Sequence, residues 1–399
     1  MPGPLAGVRV LDLTTMVSGP VAAMMLADQG ADVIKVESPG GDLMRSFGTL
    51  HLGMSASFMS CNRNKRSLCV DLKSPKGLEV VRKLIPAMDV LLQNFRPGAI
   101  ERMGLGEAEA RKLKRDIIYV SISGFGESGP YAHQRVYDPV IQALCGLAEV
   151  QADRHPEYRP RMVRAIVPDK TTSVTAAQAI TAALFSRERT GEGQHIRLAM
   201  LDVMIAYLWP ESISGLTFPG HETDPARGQM GPDLVYQTRD GFITSAAVSD
   251  VEWKGMCAAF DRPELASDPR FVTVAARSQH VAERRIVISE ELMKWRSQEI
   301  LARLDANGVP CAPVLRRTDL LEDEQVRVNR MIEIHQHPAL GQVRQPRPAA
   351  QFDRTPATIR KLAPALGEHN AEILGELGYG AAEIERLAAG GVLAGRGGK

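Results

Sequence analysis

VRVLDLTTMVSGPVAAMMLADQGADVIKVE (residues 8–37) holds two short apolar runs on either side of an Ala/Met/Leu-rich segment. The first run, VRVLDL (8–13), has the β-branched content of a buried strand. SGPVAAMMLADQGA (18–31) reads as a helix, with Ser18 as its N-cap, Pro20 in the first turn and Gly30 as its stop. DVIKVE (32–37) is a second buried strand. Strand, helix and strand at this spacing form a βαβ unit, which requires a parallel pair and a right-handed crossover. The pattern recurs in GLEVVRKLIPAMDVLLQNF (77–95) and GEAEARKLKRDIIYVSISGFG (106–126), and again in QHIRLAML (194–201) followed by LDVMIAYLW. The first half is therefore expected to be a doubly wound α/β domain.

The character changes near residue 220. TFPGHETDPARGQMGPD is rich in Pro, Gly and charge and reads as a linker. LVYQTRDGFITSAA (234–247) then reads as a hairpin about Asp240–Gly241. Helical segments follow, and VPCAPVL (309–315) reads as one more strand. The expected organisation is a large domain over 1–225, a smaller α+β domain over 226–329, and a segment over 330–399 returning to the large domain. That last segment is proline-rich near 345 and closes on AAGGVLAGRGGK (388–399), which reads as a frayed end.

With 48 Lys and Arg against 47 Asp and Glu, the chain lacks the basic excess that nucleic-acid or anionic-membrane binding draws on. The five cysteines are scattered and form no C-x-x-C pair, so neither a disulfide scaffold nor a zinc site is expected. The nine histidines show no metal-ligand spacing, and His335 and His337 read as surface residues. No signal peptide and no transmembrane run is visible, and a cytoplasmic location is the expectation.

Few short motifs carry chemistry. GFGESG (124–129) fits G-x-G-x-x-G after a strand, but Pro130 and a polar stretch follow it, so no helix opens over the glycines as a dinucleotide site requires. It reads instead as a turn leading into an active-site loop. CNRNKRSLCVDLKSPKG (61–77) holds Arg63, Lys65, Arg66 and Lys73, which form either a solvated face or part of a phosphate-binding edge. Arg96 and Arg102 lie at the end of a neighbouring strand, where ligands of open α/β sheets bind. VPDKTTSVTAAQAITAAL (167–184) places Asp169 at the head of a helix. A cap contributing ~1 kcal/mol and a carboxylate nucleophile kept ionised by the helix dipole share that position, and local sequence does not separate them.

Taken together, these stretches resemble the class III CoA-transferases, a family that includes formyl-CoA transferase and carnitine CoA-transferase. PLAGVRVLDLTTMVSGPVAAMMLADQGADVIKVESPGGD, NRNKRSLCVDLKSPKG, NFRPGAIERMGLG, ISGFGESGPYAHQRVYDPVIQALCG and ALFSRERTGEGQHIRLAMLD carry the likeness. DGFI, GVPCAPV and LGEHNAEILGELG continue it in order to near the C-terminus. The resemblance implies a Rossmann-like large domain, a smaller α+β domain and an interlocked homodimer. It implies CoA transfer between an acyl-CoA thioester and a carboxylic acid, with coenzyme A as substrate and no permanently bound cofactor or metal.

Asp169 falls on the family's catalytic aspartate, and the resemblance implies a ping-pong reaction through an aspartyl anhydride and an aspartyl-CoA thioester. Lys73, Asn94, Phe95, Arg102 and Arg135 fall on CoA contacts. Val17, Ser18, Tyr137 and Asp138 fall on the active-site lining, and Gly124 and Gly126 belong to a loop expected to supply amides for an oxyanion. Val17 stands where formyl-CoA:oxalate enzymes carry glutamine, and RGQMGPDLVYQ (227–237) lacks their glycine run. Ser38 replaces a basic residue of some relatives. The family also holds 2-methylacyl-CoA racemases, which carry a histidine where this chain has Tyr137. Tyrosine, with a pKa of ~10, is a poor partner for their two-base proton exchange. A non-catalytic CoA-binding protein is the third alternative.

Overall fold

The computed structural model describes residues 3–152, 159–222 and 234–395. Most of the 227–237 stretch and the expected boundary at 225/226 lie outside the described residues. The chain forms two compact units, Met1–Gly228 with Arg330–Lys399, and Gln229–Asn329.

The first unit is built on a six-stranded parallel sheet. Its strands are β1 (Arg9–Asp12), β2 (Asp32–Glu37), β3 (Lys65–Cys69), β4 (Val90–Gln93), β5 (Ile118–Ser123) and β6 (His195–Ala199), in the order 3-2-1-4-5-6. The order reverses between β1 and β4, and such a switch point opens a crevice beyond the C-terminal strand ends. Successive residues of each strand point to opposite faces, and both faces are covered, which is why these strands read as near-continuous apolar runs. Val10, Val33, Val90 and Val120 enter one core with α1 (Ser18–Asp28), α5 (Asp138–Leu144), α6 (Val167–Thr190) and α7 (Met200–Leu208). Leu11, Ile34, Leu91 and Tyr119 enter the other. There they meet α3 (Pro75–Leu84), α4 (Glu107–Leu113), α11 (Asn370–Glu376) and α12 (Ala381–Ala389).

Ala22, Ala23 and Ala27 of α1 and Ala176, Ala177 and Ala183 of α6 are all buried in the first core. Short side chains there let two helices approach closely on one sheet face, which fixes where the first turn of α6 falls.

Charges penetrate the sheet around Asp12, at the end of β1. Lys65 Nζ, fully buried, donates to Asp12 Oδ2, the Pro20 carbonyl and Asn62 Oδ1, each at 2.8 Å. Lys35 Nζ, equally buried, donates to the Thr14 carbonyl at 2.9 Å and pairs with Asp42 at 2.9 Å. Burial opposes Asp12's charge, but Lys65 and Lys35 outweigh it and hold its carboxyl below the ordinary range. Lys35 is likewise buried, yet Asp12, Asp42 and Glu37 hold its ammonium above the usual value.

Three of the four cations named in the basic run 61–77 are therefore paired within the fold rather than solvated. Arg63 is buried against Asp28, Lys65 against Asp12, and Arg66 pairs with Asp32, Glu372 and Glu376. Lys73 alone of the four is exposed. Two further expectations are corrected. Ser18 is the first helical residue of α1, after Val17, and no side chain caps that helix from Val17. The C-terminal end is not frayed through residue 395: Val392 and Leu393 are buried in the second core, and Leu393 bridges Val70. In the proline-rich region near 345, β10 (Ile332–His337) and β11 (Gly341–Pro346) form a hairpin.

The second unit holds an antiparallel sheet in which β8 (Phe242–Ser245) pairs with β7 (Val235–Gln237) and β9 (Cys311–Pro313). Its own core includes Trp253 of α8 (Asp250–Ala259), Leu292 of α9 (Val281–Leu292) and Leu304 of α10 (Ser297–Ala306). No described helix is long and apolar enough to cross a membrane.

Candidate active site

The loop after β1 begins the site. Thr14 donates its amide to Asp12 Oδ1 at 3.0 Å, and its hydroxyl donates to the same oxygen. Thr15 exchanges two hydrogen bonds with the Asn94 amide, at 3.0 and 2.9 Å. Met16 sits at φ 69°, a left-handed conformation costly for a non-glycine residue, and its amide donates to Asp42 Oδ1 at 3.2 Å. A Cβ at Gly19 would lie 2.3 Å from Thr14 Cβ, so only glycine lets α1 start this close to the loop. The loop is thus pinned from the sheet, from β4 and from the buried Lys35–Asp42 pair, and it delivers Ser18 to a cleft.

That cleft, about 310 Å³, lies at the C-terminal strand ends. Asp169, Ser18, Asn94 and Phe95 line it. Arg135, Tyr137 and Gly124 complete the set of expected residues found there, beside Met16, Arg96 and Met200. A Cβ on Gly124 would fall 2.5 Å from Val136 Cγ1, so the β5 loop and the 130s segment meet at glycine.

Asp169 is not a cap. α6 begins at Val167, and Asp169 is the third residue of its first turn, with no side-chain cap from Ile166. The capping oxygen comes from α5: the Asp169 amide donates to Asp138 Oδ2 at 3.2 Å. The Asp169 carboxyl is pushed up to about 6 by burial first and by the Asp138 charge second, while hydrogen bonds from the Ser18 side chain and backbone pull it partly back. The expected dipole effect, which would keep this carboxylate fully ionised, loses to desolvation and a like charge. At pH 7 the group is still mostly anionic, and more basic than a solvated carboxylate.

The remaining expected residues fall elsewhere. Val17 is buried in a small apolar cluster with Met44 and Phe58. Asp138 is buried beneath the cleft floor, 3% exposed. Gly126 has φ 89°, and its amide is engaged with Ser123 Oγ at 3.0 Å rather than free for an oxyanion. Lys73 lies in the turn after β3, its amide on Asp71 Oδ1, and lines neither cleft described here.

Arg102 lines a second cleft of about 510 Å³ that shares Phe95, Arg96, Pro97, Ile122 and Ser123 with the first. Its floor is a polar ladder across three strands: Gln93 Nε2 donates to Ser121 Oγ at 2.9 Å, and Ser121 Oγ meets His195 Nε2 at 2.8 Å. Burial first, then Arg197, depresses the His195 imidazole below its ordinary range, which keeps it neutral. Arg197 itself pairs with Glu127 at 3.0 Å. Sequence reading passed over His195, Arg197 and the buried Gln142. The last had a visible signal, since it lies four residues after Asp138 on the same helix face. Among the described residues, no group of three or more His, Cys, Asp or Glu side chains is placed to hold a metal ion.

A family model described as CoA-transferase family III matches residues 5–370. The succinate–glutarate CoA-transferase of Agrobacterium fabrum is 36% identical over 387 residues, covering 94% of this chain and 96% of that one. The formyl-CoA:oxalate CoA-transferase of Streptomyces avermitilis is 33% identical, covering 98% and 99%. A CAIB/BAIF family protein from Brucella suis has the same mixed α/β fold, with a TM-score of 0.83 at 32% identity over 94% of this chain and all of that one. The chain belongs to CoA-transferase family III and is an enzyme that transfers CoA between acyl-CoA thioesters and carboxylic acids.

Proposed function

We propose that Asp169 is the nucleophile of a ping-pong transfer. The observation that carries this is the Asp169 carboxylate itself: it lines the cleft, caps nothing in its own helix, and has its basicity raised by burial and by Asp138. Its oxygen attacks the donor thioester carbonyl, the C–S bond breaks, and CoA leaves as thiolate from a mixed anhydride. The thiolate attacks the aspartyl carbonyl, releasing the donor acid as carboxylate and leaving an aspartyl-CoA thioester. The acceptor carboxylate then displaces the thiolate to form a second anhydride. The thiolate takes the acceptor's acyl group, and Asp169 is an anion again. No net proton is consumed. Splitting one hard exchange into such steps is the usual gain of covalent catalysis.

CoA is placed along the two joined clefts, with Arg102 and Arg135 as phosphate partners and Phe95 beside the adenine or pantetheine. The exposed Lys73 would reach only a distal phosphate. The two curated relatives are named for short dicarboxylic acids, succinate with glutarate and oxalate. A short dicarboxylate is accordingly the proposed acid, and the arginines that line the cleft, Arg96 and Arg135, suit its second carboxylate. The racemase alternative finds less support, because both Asp138 oxygens accept N–H bonds and the residue is buried.

The proposed assembly is the interlocked homodimer of a Rossmann-like chain. The sheet order and the exposed apolar side chains of α6 and α7 support it, among them Val174, Phe185 and Tyr207, the last two at least 60% exposed. The test of the nucleophile is Asp169→Asn, assayed with succinyl-CoA and glutarate. Loss of transfer by at least ~10³-fold with CoA binding retained supports the proposal. Activity within a few-fold of wild type overturns it.

A further inference from the structure

α6 begins without a cap of its own. Ile166 offers no side-chain acceptor, and Pro168 has no N–H to satisfy. The first turn is held from α5 instead. Asp138 Oδ2 accepts the Asp169 amide at 3.2 Å, and Asp138 Oδ1 accepts Gln142 Nε2 at 2.6 Å. Gln142 is itself buried, 2% exposed, and its amide also grips the chain that feeds α6. Gln142 Oε1 accepts the Val163 amide at 3.0 Å, and Nε2 lies within 3.2 and 3.4 Å of the Val163 and Ala165 carbonyls. One side chain therefore ties together the lead-in to α6, the carboxylate beneath it and, through that carboxylate, the backbone of Asp169.

We propose that Gln142 is a positioning residue for the transfer, holding Asp138 as a charged hydrogen-bond acceptor directly beneath the turn that carries Asp169. This rests on Asp169 being the nucleophile. Both Asp138 oxygens receive N–H donors, which hold this anion in one place next to the first turn of α6. That anion faces a second carboxylate in the resting enzyme. When Asp169 acylates, its charge leaves with the thiolate, and the repulsion between the two groups disappears. The covalent state is favoured relative to the resting one by the same charge that makes the nucleophile basic.

The groups facing Asp169 are Asp138 from α5, Ser18 from α1, Cys61 from α2 (Ala56–Asn62), and Arg96, Arg135 and Tyr137 on the cleft wall. Burial pushes the Cys61 thiol up, so it carries no charge at neutral pH. Asp138 is the one of these whose charge raises Asp169.

The test uses the full chain and Gln142→Met, which keeps side-chain length but removes donor and acceptor. Carbodiimide-driven amine labelling of Asp169, followed by peptide mass spectrometry across pH, reads the protonated fraction without any turnover. Wild type is expected to lose labelling with a midpoint of about 6. In Gln142→Met, Asp138 loses the donor that fixes it and turns away from Asp169, and the midpoint is expected to fall by about one pH unit. Formation of the covalent adduct from succinyl-CoA should slow by ~10-fold. A folded Gln142→Met protein whose midpoint stays with wild type overturns the proposal. If that variant does not fold, Gln142→Asn, which keeps the amide but shortens its reach to Asp138, decides: the same fall supports the proposal, and an unmoved midpoint overturns it. A midpoint that falls as expected, in a protein whose wild type forms no adduct at Asp169, leaves the hold of Gln142 on Asp138 standing and removes the nucleophile assignment instead.

Discussion

The backbone amide of Asp169 donates to Asp138 Oδ2 at 3.2 Å, so a carboxylate on one helix caps the first turn of another. This frees the Asp169 side chain from the capping role its position suggests. It also sets two carboxylates near each other in a half-buried place, which is unfavourable for the fold and useful for a nucleophile.

The cost to the fold is measurable. Asp169's carboxyl has its folded value raised from 3.8 to about 6. The folded state therefore holds this proton more tightly than the unfolded chain, and stability falls as pH rises from about 4 to about 6, then stays level. The shift corresponds to about 3 kcal/mol. Asp169→Asn should accordingly melt higher than wild type at pH 8, and the gap should close by pH 4. Calorimetric melting at the two pH values checks this.

The same shift sets the rate. Only the anion attacks, so the first half-reaction should rise with pH through a midpoint near 6 and flatten above it. Stopped-time trapping of the enzyme adduct at pH 5, 6, 7 and 8 measures that limb. A midpoint near 4 would mean that neither burial nor Asp138 acts on the attacking group.

Arg102 offers a separate handle on the ligand. It is exposed on a cleft that joins the Asp169 cleft through Phe95, Arg96 and Pro97. Arg102→Glu should weaken CoA binding by ~10-fold or more, with the loss greater at low salt, and leave the melting temperature within about 2 °C. Isothermal titration with CoA at two salt concentrations tests it.

Assembly is tested by dilution. An interlocked dimer buries far more surface than a transient contact. Light scattering at low concentration should still give twice the 43.5 kDa chain mass. A folded monomer that retains activity would contradict the proposed dimer.

Residues 8–37 announced the parallel sheet because strands buried on both faces read as near-continuous apolar runs, and because α1 is closed by Gly30. The same apolar periodicity marked the β7–β8 hairpin and β9. What escaped reading depended on distant partners. Arg63, Lys65 and Arg66 look like a surface run until the end of α1 brings Asp28, and β1 and β2 bring Asp12 and Asp32, beside them. Ile332–His337 alternates as a strand should, but its polar half and the prolines nearby hid the hairpin. Whether Asp169 caps α6 hinged on the helix starting at Val167 and on an acceptor 31 residues away, and local sequence contains neither fact. Of Gly126, Asn94 and Val17, which were expected near the site, the structure brings Asn94 to the cleft. Their engagement with Ser123, with Thr15 and with a buried cluster was not legible.

The decisive measurement is a trap. Wild-type enzyme incubated with succinyl-CoA and then with hydroxylamine should carry a hydroxamate on the peptide spanning Asp169, and the Asp169→Asn enzyme should carry none. Hydroxamate on a different residue, or an unmodified Asp169 peptide in an enzyme that is turning over, would contradict covalent transfer through Asp169.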